Sequence, residues 1–284
     1  MLTSLHSRLL FVLLLASLTA FVQADSVRTI FRPTFESYHE QPVLVVRVGF
    51  NDIQPAYSDL DIDQLFFGAD SSVAAYFLKQ SAGRYRLRAA NEISPGGILN
   101  VSLDQSHPDF GWGAGSGNSR RLVESVYARI NETSNPPAAE ILDRNSDGWL
   151  DPSELAVVLI IAGYEHGYSG SLAPRPNIRA HQALISDSTL WNLGMTGYVM
   201  IGELHDDHLA TQGIICHELG HLLFGLPDLT DESGNALAVG RSGLMGLGGW
   251  NGLDEDGDSP ADMLSWSLDA AGLRVLTEVP DSLH

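Results

Sequence analysis

Residues 155–162 run Leu-Ala-Val-Val-Leu-Ile-Ile-Ala without one polar side chain. The run has strand length, and with no polar alternation neither face is suited to water, so it predicts a strand buried on both faces. A second β-branched apolar run at residues 42–50 predicts another central strand. Alternation at 84–90 predicts a half-buried strand, and residues 178–186 and 198–204 are further strand candidates. Helical spacing appears at 71–80, with Ser71 or Ser72 placed to cap it. It recurs at 118–131, where Leu122, Val123, Val126, Tyr127 and Ile130 share one stripe. A last helix is expected near 260–271. The Asp-rich stretch 51–63 is read as a loop. Strands and helices mix without a strict βαβ period.

Residues 214–228 carry the chemistry. His217, Glu218 and His221 form the H-E-x-x-H pattern. On a helix, positions four apart share a face, so both imidazoles can meet one Zn²⁺, and Glu218 can meet a water on that metal. Ile214, Ile215, Leu219, Leu222 and Leu223 suit a largely buried helix, Gly225 can stop it, and Pro227 cannot continue it. A catalytic zinc takes three protein ligands and keeps one position for water. Asp228 is the candidate third ligand, because a left-handed Gly225 would turn the chain back under the metal. Asp231 and Glu232 are alternatives.

A second metal motif lies at residues 143–154. Its spacing matches the twelve-residue calcium loop, with oxygens from Asp143, Asn145, Asp147, the Trp149 carbonyl, Asp151 and Glu154, and Gly148 at the sharp turn. Pro136 and Pro137 shorten any entering helix and a strand follows, so a structural ion is expected rather than a signalling switch. Residues 254–258 form another acidic loop, read as solvated.

Residues 1–24 have the form of a secretory signal. Arg8 supplies the positive region, residues 9–22 the apolar stretch, and Val22-Gln23-Ala24 the small cleavage residues. The mature chain is then expected to begin near Asp25, outside the cell, with residues 25–41 as an N-terminal arm. No second hydrophobic segment long enough to span a membrane follows, so stable membrane insertion is not expected. The formal charge of −19 argues against nucleic acid and anionic membranes as partners. The single cysteine, Cys216, excludes an internal disulfide and is read as a small core residue. Asn100 and Asn131 stand in glycosylation sequons.

Several stretches in order resemble one family: residues 42–52, 73–86, 143–151 with the strand and Ala162-Gly163 that follow, Ala180-His181-Gln182, 217–228, 243–252 and 259–266. Together they are similar to secreted metallopeptidases of the immune inhibitor A type, the M6 family within the zincins. The resemblance implies zinc ligands at His217, His221 and Asp228, Glu218 as general base, and Met245 as a soft apolar floor beneath the metal. It implies an α+β zincin-like fold: a twisted mixed sheet with packed helices, an N-terminal lobe over 42–224 holding the active-site helix, and a loop-rich C-terminal lobe over 225–284. One departure is that the glycine falls four residues after His221, where the family usually has three.

The function expected is a secreted zinc endopeptidase acting on extracellular proteins. His181, His205 and His208 are candidates to stabilise the oxyanion, each weighed against an ordinary polar or core histidine. A strand within 192–204 is the candidate to pair with substrate backbone. The rivals are a calcium-stabilised binding or matrix protein with an inert zinc motif, and a zinc amidase.

Overall fold

A computed structural model describes residues 38–111, 117–133, 139–191, 193–229 and 238–274. The expected signal segment, residues 25–37 of the arm, and the alternative ligands Asp231 and Glu232 lie outside these residues. Among them, the strands form one nine-stranded sheet. Strand β1 (His39–Gly49) carries β2 (Tyr85–Ala89) and β3 (Ile98–Ser102) in succession, both parallel to it, and also pairs in parallel with β5 (Ala156–Glu165). Strand β5 in turn pairs in parallel with β8 (Leu193–His205). The short β4 (Trp149–Leu150) and β6 (Asn177–Ile178) are parallel additions, whereas β7 (His181–Leu190) and β9 (His208–Leu209) run antiparallel to β8.

The sheet is therefore mostly parallel, which corrects the α+β expectation toward a mixed α/β arrangement. Helices α1 (Asp59–Phe67) and α2 (Val73–Gln80) separate β1 from β2, and α3 (Gly117–Thr133) lies between β3 and β5. Parallel neighbours need such crossovers, and helices then cover both faces. The two continuous apolar runs show the consequence. Val43, Val45, Ala156, Val158 and Ile160 enter one core with α1, α2 and α5 (Gln212–Phe224). Leu44, Val46, Val157, Leu159 and Ile161 enter a second core with Leu122, Val123, Val126, Tyr127 and Ile130 of α3. Burying each such Val, Leu or Ile side chain stabilises the fold by about 1.5–3 kcal/mol.

Three expectations are revised. The Asp-rich stretch 51–63 contains the start of α1, whose Ser58 side chain accepts from the Asp61 N–H while Asp61 returns a bond to the Ser58 N–H. Ile62 and Phe66, four apart, are its buried face. The last helix is short, α6 (Ser265–Ala270). Finally, β8 cannot add a substrate strand along most of its length: Val199 and Met200 have partners in both β5 and β7. Among the described residues β7 pairs only with β8, so β7 is one of the sheet's edge strands, with its Thr189 carbonyl taken by Asn131.

A buried polar knot ties the 51–58 loop over the strand ends. Arg47 of β1 lies 3.7 Å from Glu203 of β8 and donates to Asn100, Asp59 and the Tyr57 carbonyl. Glu203 accepts from the N–H groups of Ala56 and Tyr57 at 2.7 and 3.1 Å. No helix among the described residues is long and apolar enough to cross a membrane.

Candidate metal centre

Helix α5 begins where its backbone meets the glycine-rich segment. A Cβ on Gly213 would stand 1.9 Å from the Gly249 carbonyl oxygen, so only a bare Cα allows this approach. The helix ends at Phe224, which packs edge-on to Tyr85 and against Phe77. Gly225 follows at φ 62°, ψ 23°, the left-handed conformation, and its N–H returns to the carbonyl of His221 at 2.9 Å. The helix therefore runs three residues past His221 before turning, which accommodates the extra residue before the glycine.

That turn brings the three expected ligands together. His217 Nε2 and His221 Nε2 are 3.1 Å apart, and Asp228 Oδ1 lies 3.1 Å from the first and 3.4 Å from the second. The proton positions follow from the partners. His217 Nδ1 faces the Leu244 carbonyl at 2.9 Å, and His221 Nδ1 faces the Leu226 carbonyl. A carbonyl only accepts, so each Nδ1 donates, which leaves Nε2 of each ring to face the other two residues. Two Nε2 atoms and a carboxylate oxygen then converge on one point, a donor set of the kind that holds a cation. A tetrahedral ion with bonds of about 2.1 Å sets its ligand atoms about 3.4 Å apart, so the donor set fits one.

The support beneath the site comes from the turn at Met245. Its buried sulfur occupies the space a side chain on Gly220 would need, 2.7 Å from where that Cβ would stand. Its carbonyl accepts from the Leu229 N–H at 2.7 Å, next to Asp228, while the preceding Leu244 carbonyl holds His217. One turn thus fixes two of the three ligands. Cys216 is fully buried, with its thiol pushed up by burial, as a core residue should be.

Glu218 is buried beside the trio. Burial raises its pKa above the usual carboxylate range; His217 and His221 draw it down, Asp228 pushes it up, and the charge of Arg179 draws it down again. Asp228 is over half exposed, and its hydrogen bonds to His217 and His221 hold its pKa well below the carboxylate range. Such a site is open to solvent on one side and holds its base in a drier place.

None of the three oxyanion candidates joins the trio. His181 pairs with Met200 on the sheet face of the α3 core and bonds Tyr198 Oη at 3.3 Å, away from α5. His205 is fully buried, stacked on Tyr168 at 4.5 Å, and held neutral by burial with a pKa near 3. His208 lies 3.3 Å from both Tyr168 Oη and Glu255. Two residues outside the sequence expectations bear on the site. One is Arg179. The other is Glu165, a fully buried carboxylate that accepts the N–H groups of Gly167, Ala180 and Gly202 at 2.7, 2.9 and 2.9 Å.

The 143–154 loop folds on itself. Asp143 accepts from the N–H groups of Asp147 and Gly148, Asn145 from Asp147, and Asp147 from Trp149. Gly148 sits at φ 82°. Asp151 accepts from Ser153, and the buried Glu154 closes the loop on the N–H groups of Arg144 and Asn145. The Trp149 ring lies against the bare Cα of Gly194. These carboxylates are not gathered as tightly as the first site. Among the described residues, only His217, His221 and Asp228 form a set of three or more His, Cys, Asp or Glu ligand atoms within 4.8 Å of one another.

No family model matches the chain. No curated protein matches it either. Among solved structures it is similar to two crystal structures of wild-type OgpA from Akkermansia muciniphila. In one, the TM-score is 0.46 at 14% identity, over 85% of this chain and 64% of that chain. In the other, the TM-score is 0.44 at 13% identity, over 81% of this chain and 60% of that chain. This chain spans less than two thirds of the OgpA chain.

Proposed function

We propose that the protein is a zinc-dependent endopeptidase of the zincin type, similar to the M6 family, acting on proteins outside the cell. The observation that carries this reading is the convergence of His217 Nε2, His221 Nε2 and Asp228 Oδ1 beside the buried Glu218. These three residues would hold the metal, and zinc supplies Lewis acidity for the attacking water and the scissile carbonyl. Glu218 takes the water's proton on a carboxylate oxygen and delivers it to the leaving amine nitrogen. Burial raises the proton affinity of that oxygen, which suits a base that must also act as an acid. The open edge of β7 offers N–H and C=O groups to an extended substrate. Met245 serves as the apolar floor.

Casein zymography tests the reading. A cleared band is expected from the purified protein, lost in excess chelator and restored by zinc. Clearing that persists in chelator, or none from zinc-loaded protein, contradicts it and favours a binding protein with an inert motif.

Calcium at residues 143–154 is the second part of the proposal. The side-chain oxygens of Asp143, Asn145 and Asp147 already turn inward, and Glu154 is held at the closing position. An ion there would clamp the start of β5. Calcium at about a hundred times its dissociation constant should raise the melting temperature by roughly 5–10 °C. Scanning calorimetry checks this; an unchanged melting temperature in millimolar calcium, or an equal rise in Asp143→Ala, contradicts it.

A further inference from the structure

We infer that Trp250 and Tyr168, with the carboxylates around them, form a subsite for a positively charged side chain, arginine or lysine, of a peptide substrate. The inference rests on the peptidase reading and deepens it. Trp250 is brought to the metal helix by its neighbour. A Cβ on Gly249 would stand 3.3 Å from the Gly213 carbonyl oxygen and 3.7 Å from His217 Cβ. Gly213 and His217 are four apart and share a face, so this segment lies along the metal-binding side of α5. The Trp250 ring meets the short helix His166–Ser169: its Cζ2 is 3.3 Å from where a Cβ on Gly167 would stand, and its centroid is 6.1 Å from that of Tyr168. Both residues are partly exposed. His205 stacks on Tyr168 at 4.5 Å and lies 5.6 Å from Trp250. Its Nε2 is buried and has no hydrogen-bond partner, a polar atom of the kind that a ligand or an ordered water completes.

The charge around these rings selects the ligand. Asp206 and Asp207 form the tip of the β8–β9 hairpin, and Asp206 accepts from Ser169 Oγ, one residue from Tyr168, at 2.7 and 2.8 Å. Glu255 lies 3.3 Å from His208 Nε2, which is itself 3.3 Å from Tyr168 Oη. The Asp256 carbonyl accepts from Thr211 Oγ1, at the start of α5, at 2.9 Å. All four acids are exposed, and burial and then their charges push the Tyr168 hydroxyl above its ordinary value. Among the described residues no arginine or lysine pairs with these carboxylates, and Arg241 bonds the Trp250 carbonyl. A guanidinium or an ammonium is drawn to the negative face of an indole or phenol ring, and carboxylates beside the ring add to that pull. The −19 of the whole chain favours the approach of such a substrate.

Binding decides the assignment. The Glu218→Gln protein, which should leave peptides intact, is titrated by isothermal calorimetry at physiological ionic strength with three acetylated, amidated octapeptide pools. They differ only in a central arginine, lysine or citrulline, the last keeping the shape of arginine without its charge. One or both cationic pools should bind about tenfold tighter than the citrulline pool. Adding Trp250→Leu should erase most of that gain and leave the citrulline pool unchanged. Asp207→Asn with Asp256→Asn, two exposed changes that leave the core intact, should cut the gain to about threefold. Glu124→Gln with Glu132→Gln on α3 makes the same change in net charge on the other face of the sheet and should leave the gain whole. Equal affinity for all pools, a gain that survives Trp250→Leu, or a gain that falls equally with either pair of carboxylates would overturn the assignment. Because binding is read without turnover, a protein that cleaves nothing refutes the peptidase reading and still leaves this subsite decided.

Discussion

Glu218→Ala should leave zinc bound and lower peptide hydrolysis by about a thousandfold. The carboxylate is not among the three converging ligand atoms, so its loss takes nothing from the metal's grip. What goes is the proton acceptor. Without it the attacking water must give its proton to solvent, and the leaving amine must find one there. The fold should survive, because alanine suits a helix interior and the substitution removes a carboxylate that burial already disfavours in its charged form. Steady-state kcat/KM of zinc-loaded protein, with bound zinc measured on the same sample, checks the expectation. Activity within tenfold of wild type would remove Glu218 from the mechanism; loss of zinc along with activity would make it a ligand.

The second large effect is on stability. Glu165→Ala should cost about 3–5 kcal/mol, because it strands the buried N–H groups of Ala180 and Gly202, removes the bond from the exposed Gly167, and leaves a cavity. Glu165→Gln should cost less, about 1–3 kcal/mol, since its amide oxygen can keep the bonds on one side while its nitrogen faces a donor on the other. The effect has a pH signature. Burial raises Glu165 from 4.5 to about 7 against the pull of those N–H groups. The folded state therefore holds the proton more tightly than the unfolded chain. The contribution of this residue to stability is complete below pH 4.5 and declines as pH rises to about 7. Urea denaturation of wild type and both variants at pH 5 and pH 8 measures these differences. A Glu165→Ala loss under about 1 kcal/mol, or a gap to wild type that widens with pH, would contradict the account.

How much of this could be read in advance depended on whether side chains or backbone did the work. Residues 42–50 and 155–162 were legible as central strands because an unbroken apolar run has no other way to avoid water, and β1 and β5 bury both faces. The Ser72 cap of α2 and the stripe on α3 were equally plain. Helix α1 was hidden by its aspartates, although Ser58 and Asp61 carry the spacing of a capping pair and Ile62 and Phe66 that of a buried face. The edge position of β7 was not legible, because alternation in one strand does not say which strand lies beside it. At the site, His217, Glu218 and His221 announce themselves by spacing. Asp228 depended on a left-handed Gly225, a conformation the residue permits without requiring. The carbonyls of Leu226 and Leu244 that set both imidazole tautomers leave no trace in sequence, since every residue offers one. Glu165 had a faint signal: an acid closing an otherwise apolar strand.

The most direct measurement is the zinc content of the folded, purified protein by elemental analysis, taken before and after dialysis against excess zinc and repeated on Asp228→Ala. One tightly held zinc per chain in the wild type, with clearly weaker retention in the variant, is the predicted result. A cooperatively melting protein that stays zinc-free after dialysis contradicts the account.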